Sequence, residues 1–217
     1  RGTDPTEPPS KSEYPFPAVS NEPRIQELFD GVTKLGHHPF PVPIGLNIDE
    51  KNMVDSKCIR CDTCDGYPCM VDAKADADVN CVRPIHHQDN VTLITNAHVM
   101  RLITGPNGRE ITAVEAKIAG GETTQFQGDI VIVSCGAINS AALLLRSTSA
   151  AHPNGLANSS DQVGRNFMFH QAGAILSVHA TKHNPSRYQK TFAVNDFYFG
   201  EPGFDFPMGG IQLIGSF

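Results

Sequence analysis

Asp129-Ile130-Val131-Ile132-Val133-Ser134 runs directly into Cys135-Gly136-Ala137 and then Ile138-Asn139-Ser140-Ala141-Ala142-Leu143-Leu144-Leu145-Arg146-Ser147. This stretch sets the architecture expected of the chain. Its first part is an unbroken β-branched run, the composition of a strand buried on both faces of a parallel sheet. Three small residues follow, and Ala141, Leu144 and Leu145 then recur at helical spacing. Strand, tight small-residue turn and helix together form the local geometry of a nucleotide-binding α/β fold. The turn glycine lets another group approach the backbone, and the helix N-terminus offers free N–H groups to an anion.

Upstream of this stretch, Val91-Thr92-Leu93-Ile94 and Val99 to Ile103 read as short strands, and Gly105-Pro106-Asn107-Gly108 as a turn. Val114, Ala116 and Ile118 alternate with Glu115 and Lys117, which predicts a strand with one wet face. Gly120-Gly121 is a second turn, and Thr123 to Phe126 a further strand. Downstream, residues 147–162 form a polar loop, Val163-Gly164-Arg165-Asn166 a turn, and Ala174–Val178, Phe192–Phe199 and Ile211–Ile214 new strands.

Toward the N-terminus, Ile25, Leu28, Phe29, Val32 and Leu35 mark a helix that starts near Glu22-Pro23. Ser20 or Asn21 is placed to cap it and Gly36 to end it. Residues 1–20 (Pro5, Pro8, Pro9, Pro15, Pro17) and 37–57 (Pro39, Pro41, Pro43) read as extended, proline-rich connections. From Val71 the alanine-rich run predicts a helix, bent or ended at Arg83-Pro84.

The 217 residues carry 17 Lys+Arg against 23 Asp+Glu, a net charge of −6. No positive surplus is available to release counterions from phosphates, which argues against nucleic acid as a partner. No apolar run approaches the roughly 20 residues that span a bilayer. No basic-then-apolar leader is present, so no membrane span is expected in these residues and the cytoplasm is favoured. The chain begins Arg1-Gly2-Thr3 without methionine and stops inside the apolar pattern Ile214-Gly215-Ser216-Phe217. An internal segment of a larger protein is the expectation.

Cys135 to Ser147 resembles the second signature of the glucose–methanol–choline (GMC) flavin oxidoreductases, with Ala141 where Pro or Ser is usual and Thr148 where Gly is usual. Asn90–Leu93 and Val99–Leu102 look like the pair of strands ahead of that signature, and Asp129–Ser134 like the last sheet strand. Val163-Gly164-Arg165-Asn166-Phe167-Met168-Phe169-His170 is similar to the family's entry into its substrate domain. Residues 58–84, with their cysteines and Ala73-Lys74-Ala75-Asp76, look like a cysteine-rich variant found in bacterial members.

The resemblance implies an FAD enzyme that oxidises the CH–OH group of an alcohol, sugar or polyol to a carbonyl by hydride transfer to the flavin. The electron acceptor is left open. The implied fold class is α/β (α+β overall): part of a discontinuous, Rossmann-like FAD domain plus the start of an antiparallel-sheet substrate domain. Residues 1–90 would be peripheral helices and a cysteine loop near the substrate side, 91–170 part of the FAD domain, and 171–217 the start of the substrate domain. The implied cofactor-binding residues are Val99, whose backbone would meet the adenine, and Cys135, Gly136 and Ala137. The family's Gly-x-Gly-x-x-Gly turn does not occur here, and its catalytic histidine would fall beyond residue 217. No catalytic residue is therefore assigned, His170 and the other eight histidines included. This segment alone is expected neither to hold FAD nor to turn over alcohols.

Cys58-x2-Cys61-x2-Cys64-x4-Cys69 approaches the ferredoxin pattern, with a last gap one residue longer and Met70 in place of proline. Four such thiolates would also suit tetrahedral zinc. Reduced thiols or local disulfides shaping a loop are the remaining reading. Because the flavin takes the hydride, no metal is assigned. An iron–sulfur or zinc module for electron transfer or scaffolding is the alternative function, and it leaves residues 90–170 unexplained.

Overall fold

A computed structural model of the chain describes residues 4, 6, 14, 16–64 and 66–214. Most of the proline-rich opening (Pro5, Pro8, Pro9 and Pro15) and Gly215–Phe217 lie outside them. In chain order the elements are α1 (Pro23–Lys34), β1 (Pro39–Pro41), a π-helical turn (Asp78–Val82), β2 (Ala97–Thr104), β3 (Ile111–Ile118), β4 (Thr123–Phe126), α2 (Gly136–Arg146), β5 (Phe192–Val194) and β6 (Ile211–Gln212). The chain is mixed α/β, and both its sheets are antiparallel. It divides into two compact units, residues 1–88 with 177–217, and residues 89–176.

In the first unit α1 starts with Pro23 in its first turn, where a missing N–H costs nothing. The expected Ser20 or Asn21 cap is not made. Glu22 is the N-cap and gives no side-chain cap bond, because its carboxylate is engaged elsewhere, as described below. The apolar stripe is narrower than its sequence: Ile25 is buried with Phe29 and Val32 beside it, while Leu28 and Leu35 face outward. Ile25, Phe29 and Val32 pack on Phe192 and Val194 of a sheet ordered β1-β5-β6. β1 forms inside a proline-rich connection. Pro39 and Pro41 flank the buried Phe40 and are tolerated because β1 is an edge strand. The helix expected from Val71 is reduced to the π-helical turn. Lys74 pairs with Leu46 in an isolated bridge and Asp72 sits at φ +51°, so the backbone before Asp76 is committed to other contacts.

In the second unit β2, β3 and β4 form an antiparallel meander. Thr123–Phe126 is a strand at the expected bounds. Glu115 and Lys117 alternate with Val114, Ala116 and Ile118, of which Ala116 is buried, while the buried Ala113 lies on the same face as Glu115. α2 lies against β2, and Leu102, Leu143 and Leu156 form the core, with Val99, Ile111, Val114, Val131, Val133 and Leu144 packed around it.

Four strand expectations are corrected, and the expected strand Ile211–Ile214 shortens to the two residues of β6. Asp129–Ser134 is extended but pairs with no strand among the described residues. Val131 and Val133 pack inward, whereas Ile130 and Ile132 are 82% and 81% exposed. Burial on both faces requires neighbouring strands and cover on each side, and no strand among the described residues offers a ladder to it. Val91–Ile94 and Ala174–Val178 form no ladder either, and Leu93, Ile175 and Val178 are exposed. Phe192–Phe199 shortens to the three residues of β5, beyond which Asn195 and Phe197 accept turn bonds from Tyr198 and Gly200.

Candidate functional site

The turn before α2 is built from its backbone. Gly136 has φ +76°, in the left-handed region where glycine alone is unstrained, so regular helix starts at Ala137. No atom lies within 4 Å of where a Gly136 β-carbon would stand. Cys135, Gly136 and Ala137 are all exposed. The N-cap, Cys135, makes no side-chain cap bond, so the first N–H groups of α2 point out from its end without a side-chain acceptor. The Cys135 N–H instead reaches Ser140 Oγ at 3.1 Å, tying the turn to the first turns of the helix.

The far end of α2 fixes its direction. Ser147 is 1% exposed; its Oγ donates to Leu143 O at 2.6 Å and accepts the Leu102 N–H at 2.9 Å. Arg146 donates to Met100 O at 2.8 Å and Val99 O at 3.0 Å. Register shifts past Met100, so two β2 carbonyls at this bulge are satisfied by one guanidinium. Val99 pairs with Ala116 and is half-buried against the core. The structure thus joins Val99 to α2 through Arg146, while Cys135–Ala137 stand at the other end of that helix. Sequence reasoning passed over Ser140, Arg146 and Ser147. The polar residues that close an apolar helix were the available signal for the last two. An open hollow lies beside Asn96–His98 and Ala119-Gly120, next to Val99 in sequence.

In the first unit the cysteine loop is held by charges. Arg60, at φ +50°, lies between Cys58 and Cys61. Its guanidinium bonds Glu50, the Ser20 carbonyl and, at 3.4 Å, Glu22, and it stands 5.9 Å from the Tyr188 ring. Glu22 also accepts the N–H groups of Arg187 and Tyr188 at 2.8 and 3.2 Å. Lys74 Nζ bonds the carbonyls of Cys64 and Tyr67. Burial, with the nearby Cys64 and Cys58 thiols, pushes the Tyr188 phenol up to about 12. Burial also pushes the Cys64 thiol up. For Cys69, burial acts upward, but N–H groups of Ala73, Val71 and Lys74 directed at its sulfur outweigh it and hold the thiol below its ordinary value. The Ala73 N–H to Cys69 Sγ distance is 3.3 Å. All six cysteines are free, and no group of three His, Cys, Asp or Glu side chains among the described residues could hold a metal ion.

The turn before α2 is thus an open glycine turn at a helix N-terminus that has no side-chain cap. The chain belongs to the GMC oxidoreductases, whose sequence profile matches residues 18–172. It is 33% identical over 150 residues to 6'''-hydroxyparomomycin C oxidase of Streptomyces lividus, covering 69% of this chain and 27% of that protein. It is 33% identical over 138 residues to paromamine 6'-oxidase of Streptomyces fradiae, covering 64% and 25%. It is 27% identical over 176 residues to the gluconate 2-dehydrogenase flavoprotein of Pantoea cypripedii, covering 79% and 28%. The chain spans about a quarter of the length of these curated relatives. The family's cofactor is FAD. The uncapped N–H groups and the free space over Gly136 fit an anionic portion of it. No helix among the described residues is long and apolar enough to cross a membrane.

Proposed function

We propose that these residues form part of an FAD-dependent oxidoreductase that converts a CH–OH group of an alcohol, sugar or polyol to a carbonyl. Family membership and relatives named for hydroxyl-rich compounds support the substrate class. The observation that carries the cofactor reading is the left-handed, uncapped turn Cys135-Gly136-Ala137, which presents backbone N–H groups to open space.

Bound FAD supplies the two-electron acceptor for the hydride. This chain's part is to hold and orient. In this reading the N–H groups at Gly136 and Ala137 donate to an anionic group of the cofactor, with the helix dipole adding to the attraction. Val99 contributes backbone contact at the adenine. Its N–H and carbonyl are kept in place by the β2–β3 ladder and by Arg146. Ser140 keeps the turn from opening, and Ser147 with Arg146 keeps α2 aligned on β2. Residues 91–170 are thereby read as a portion of a Rossmann-like FAD domain, and the β1-β5-β6 sheet as the beginning of a substrate domain.

The test is dye-coupled turnover by the holoenzyme across a panel of primary alcohols, aldonates, polyols and amino sugars, with the carbonyl product identified by mass. Reduction of the dye matched by a product two hydrogens lighter than its substrate supports the proposal. A holoenzyme that reduces dye with none of these donors, or whose product gains an oxygen instead, refutes it.

A further inference from the structure

The cysteine loop contains one pair of cysteines, Cys61 and Cys64, at the two ends of a single turn. Asp62 and Thr63 form the corner of a turn whose first and fourth residues are Cys61 and Cys64. A turn of this kind holds its end Cα atoms within about 7 Å, which meets the roughly 4.4–6.8 Å that a disulfide needs. Cys58-Ile59-Arg60-Cys61, with the same spacing, is not a turn. There Arg60 is pinned by Glu50, Glu22 and Ser20, and Cys58 is buried with its N–H bonded to Asn47 O at 2.9 Å. Both flanks of the Cys61–Cys64 turn are anchored, by Arg60 before it and by Lys74 on the Cys64 carbonyl after it. The charges of Cys61 and Cys58 both act on Cys64, whereas Cys69 does not figure among the groups that do. Cys69 is engaged with the N–H of Ala73 instead.

We propose that Cys61 and Cys64 are a reversible dithiol–disulfide pair, oxidised by a low-molecular-weight disulfide of the glutathione class. The Cys61 thiolate attacks one sulfur of the oxidant, and the first small thiol leaves. The Cys64 thiolate then attacks Cys61 sulfur in the mixed disulfide and releases the second small thiol. Two S–H bonds and the oxidant's S–S bond are lost. One protein S–S bond and two small-molecule S–H bonds are gained, so two electrons and two protons pass from the protein to the oxidant. Cys64 is assigned as the resolving member because burial raises its thiol and so disfavours it as the first attacker. The step closes the turn covalently without moving either anchored flank. Cys69, outside the pair, forms no bond to Cys61 or Cys64.

Peptide mapping reads this directly, because trypsin cuts after Lys57, Arg60 and Lys74 and separates Cys58 from the other three. The holoenzyme is equilibrated anaerobically with excess oxidised glutathione, quenched with N-ethylmaleimide and digested. The expected result is residues 61–74 as one peptide carrying the Cys61–Cys64 bond, two hydrogens lighter than the reduced form apart from a single maleimide or glutathione on Cys69, with residues 58–60 not crosslinked to it. Reduced glutathione should restore three labels to residues 61–74. In Cys64→Ser, Cys61 should accumulate as the glutathione mixed disulfide, while Cys69→Ser should retain the internal bond. Three labels on residues 61–74 after oxidation would overturn the proposal. So would a crosslink between residues 58–60 and 61–74, or loss of the internal bond in Cys69→Ser with a native circular-dichroism spectrum.

Discussion

Replacing Gly136 by Asn separates the two demands that its position makes. The first is conformational: at φ +76° an ordinary L-residue costs about 1–2 kcal/mol, and Asn, which visits this region more readily, costs less. The second is spatial. Nothing in the protein lies within 4 Å of the new β-carbon, so the variant meets no steric penalty from its own chain. Folding stability should therefore fall by no more than about 1 kcal/mol. If an anionic cofactor group rests on the turn, the Asn side chain occupies its approach. FAD affinity should then fall at least ten-fold, which is about 1.4 kcal/mol. The assay is the flavin-to-protein ratio of purified holoenzyme, followed by FAD titration of the stripped protein, with thermal unfolding of the same stripped samples as the folding control. Gly136→Ala pays the full backbone cost with a smaller side chain, so it should lose more stability and less affinity than Gly136→Asn. A Gly136→Asn enzyme that is folded, fully loaded and unchanged in FAD affinity would show that the glycine serves backbone geometry alone. It would remove Cys135, Gly136 and Ala137 from the cofactor site.

Three further outcomes are expected. Ser147→Ala leaves the buried Leu102 N–H without its acceptor and should cost about 1–3 kcal/mol, read as faster amide exchange in the β2 peptide; an exchange rate changed less than two-fold would contradict the tie between β2 and α2. For Asp196, burial acts upward, but the His38 ring at 2.5 Å, the His38 N–H and the charges of His38 and His37 hold the carboxyl below its ordinary value. Its folded-state pKa is depressed, so its stabilisation is complete above the unfolded value of about 3.9 and is lost as pH falls through the lower folded value. Asp196→Asn should erase that acid step from the NMR shifts of Phe40 in β1, and an unaltered step would assign it elsewhere. Cys69 should react with iodoacetamide at neutral pH roughly ten-fold or more faster than Cys64, since one thiol is held down by N–H groups and the other is held up by burial; equal rates would refute the assignment.

Elements defined by local chemistry were readable from the sequence. The one-sided alternation around Glu115 and Lys117 is the signature of a strand with one wet face, and Pro23 and Gly36 bound α1 by backbone rules that need no neighbours. The helix at Ala137 was equally legible, because small residues followed by leucines at helical spacing admit few other readings. Elements that depend on a partner strand were not. Ile130 and Ile132 carry the composition of a buried strand, but composition does not supply the ladder, and both side chains are exposed. β1 escaped notice for the opposite reason: its two prolines argue against a strand, and only an edge position makes them compatible with one. In the candidate site the glycine turn was visible from its residue types. The grip of Arg146 on Val99 O and Met100 O, and of Glu22 on Arg187 and Tyr188, joins residues far apart in sequence with no local pattern to announce it.

A flavin that takes electrons from a hydroxyl donor is visible in the absorption spectrum of native holoenzyme during anaerobic titration. The expected spectrum has the two flavin bands, in the blue and the near ultraviolet, with stoichiometric bleaching of the blue band by an alcohol, sugar or polyol and one carbonyl formed per flavin reduced. A native enzyme without flavin bands, or one whose flavin stays oxidised with every hydroxyl donor while a broad brown absorption from the cysteine loop is reduced instead, would contradict it.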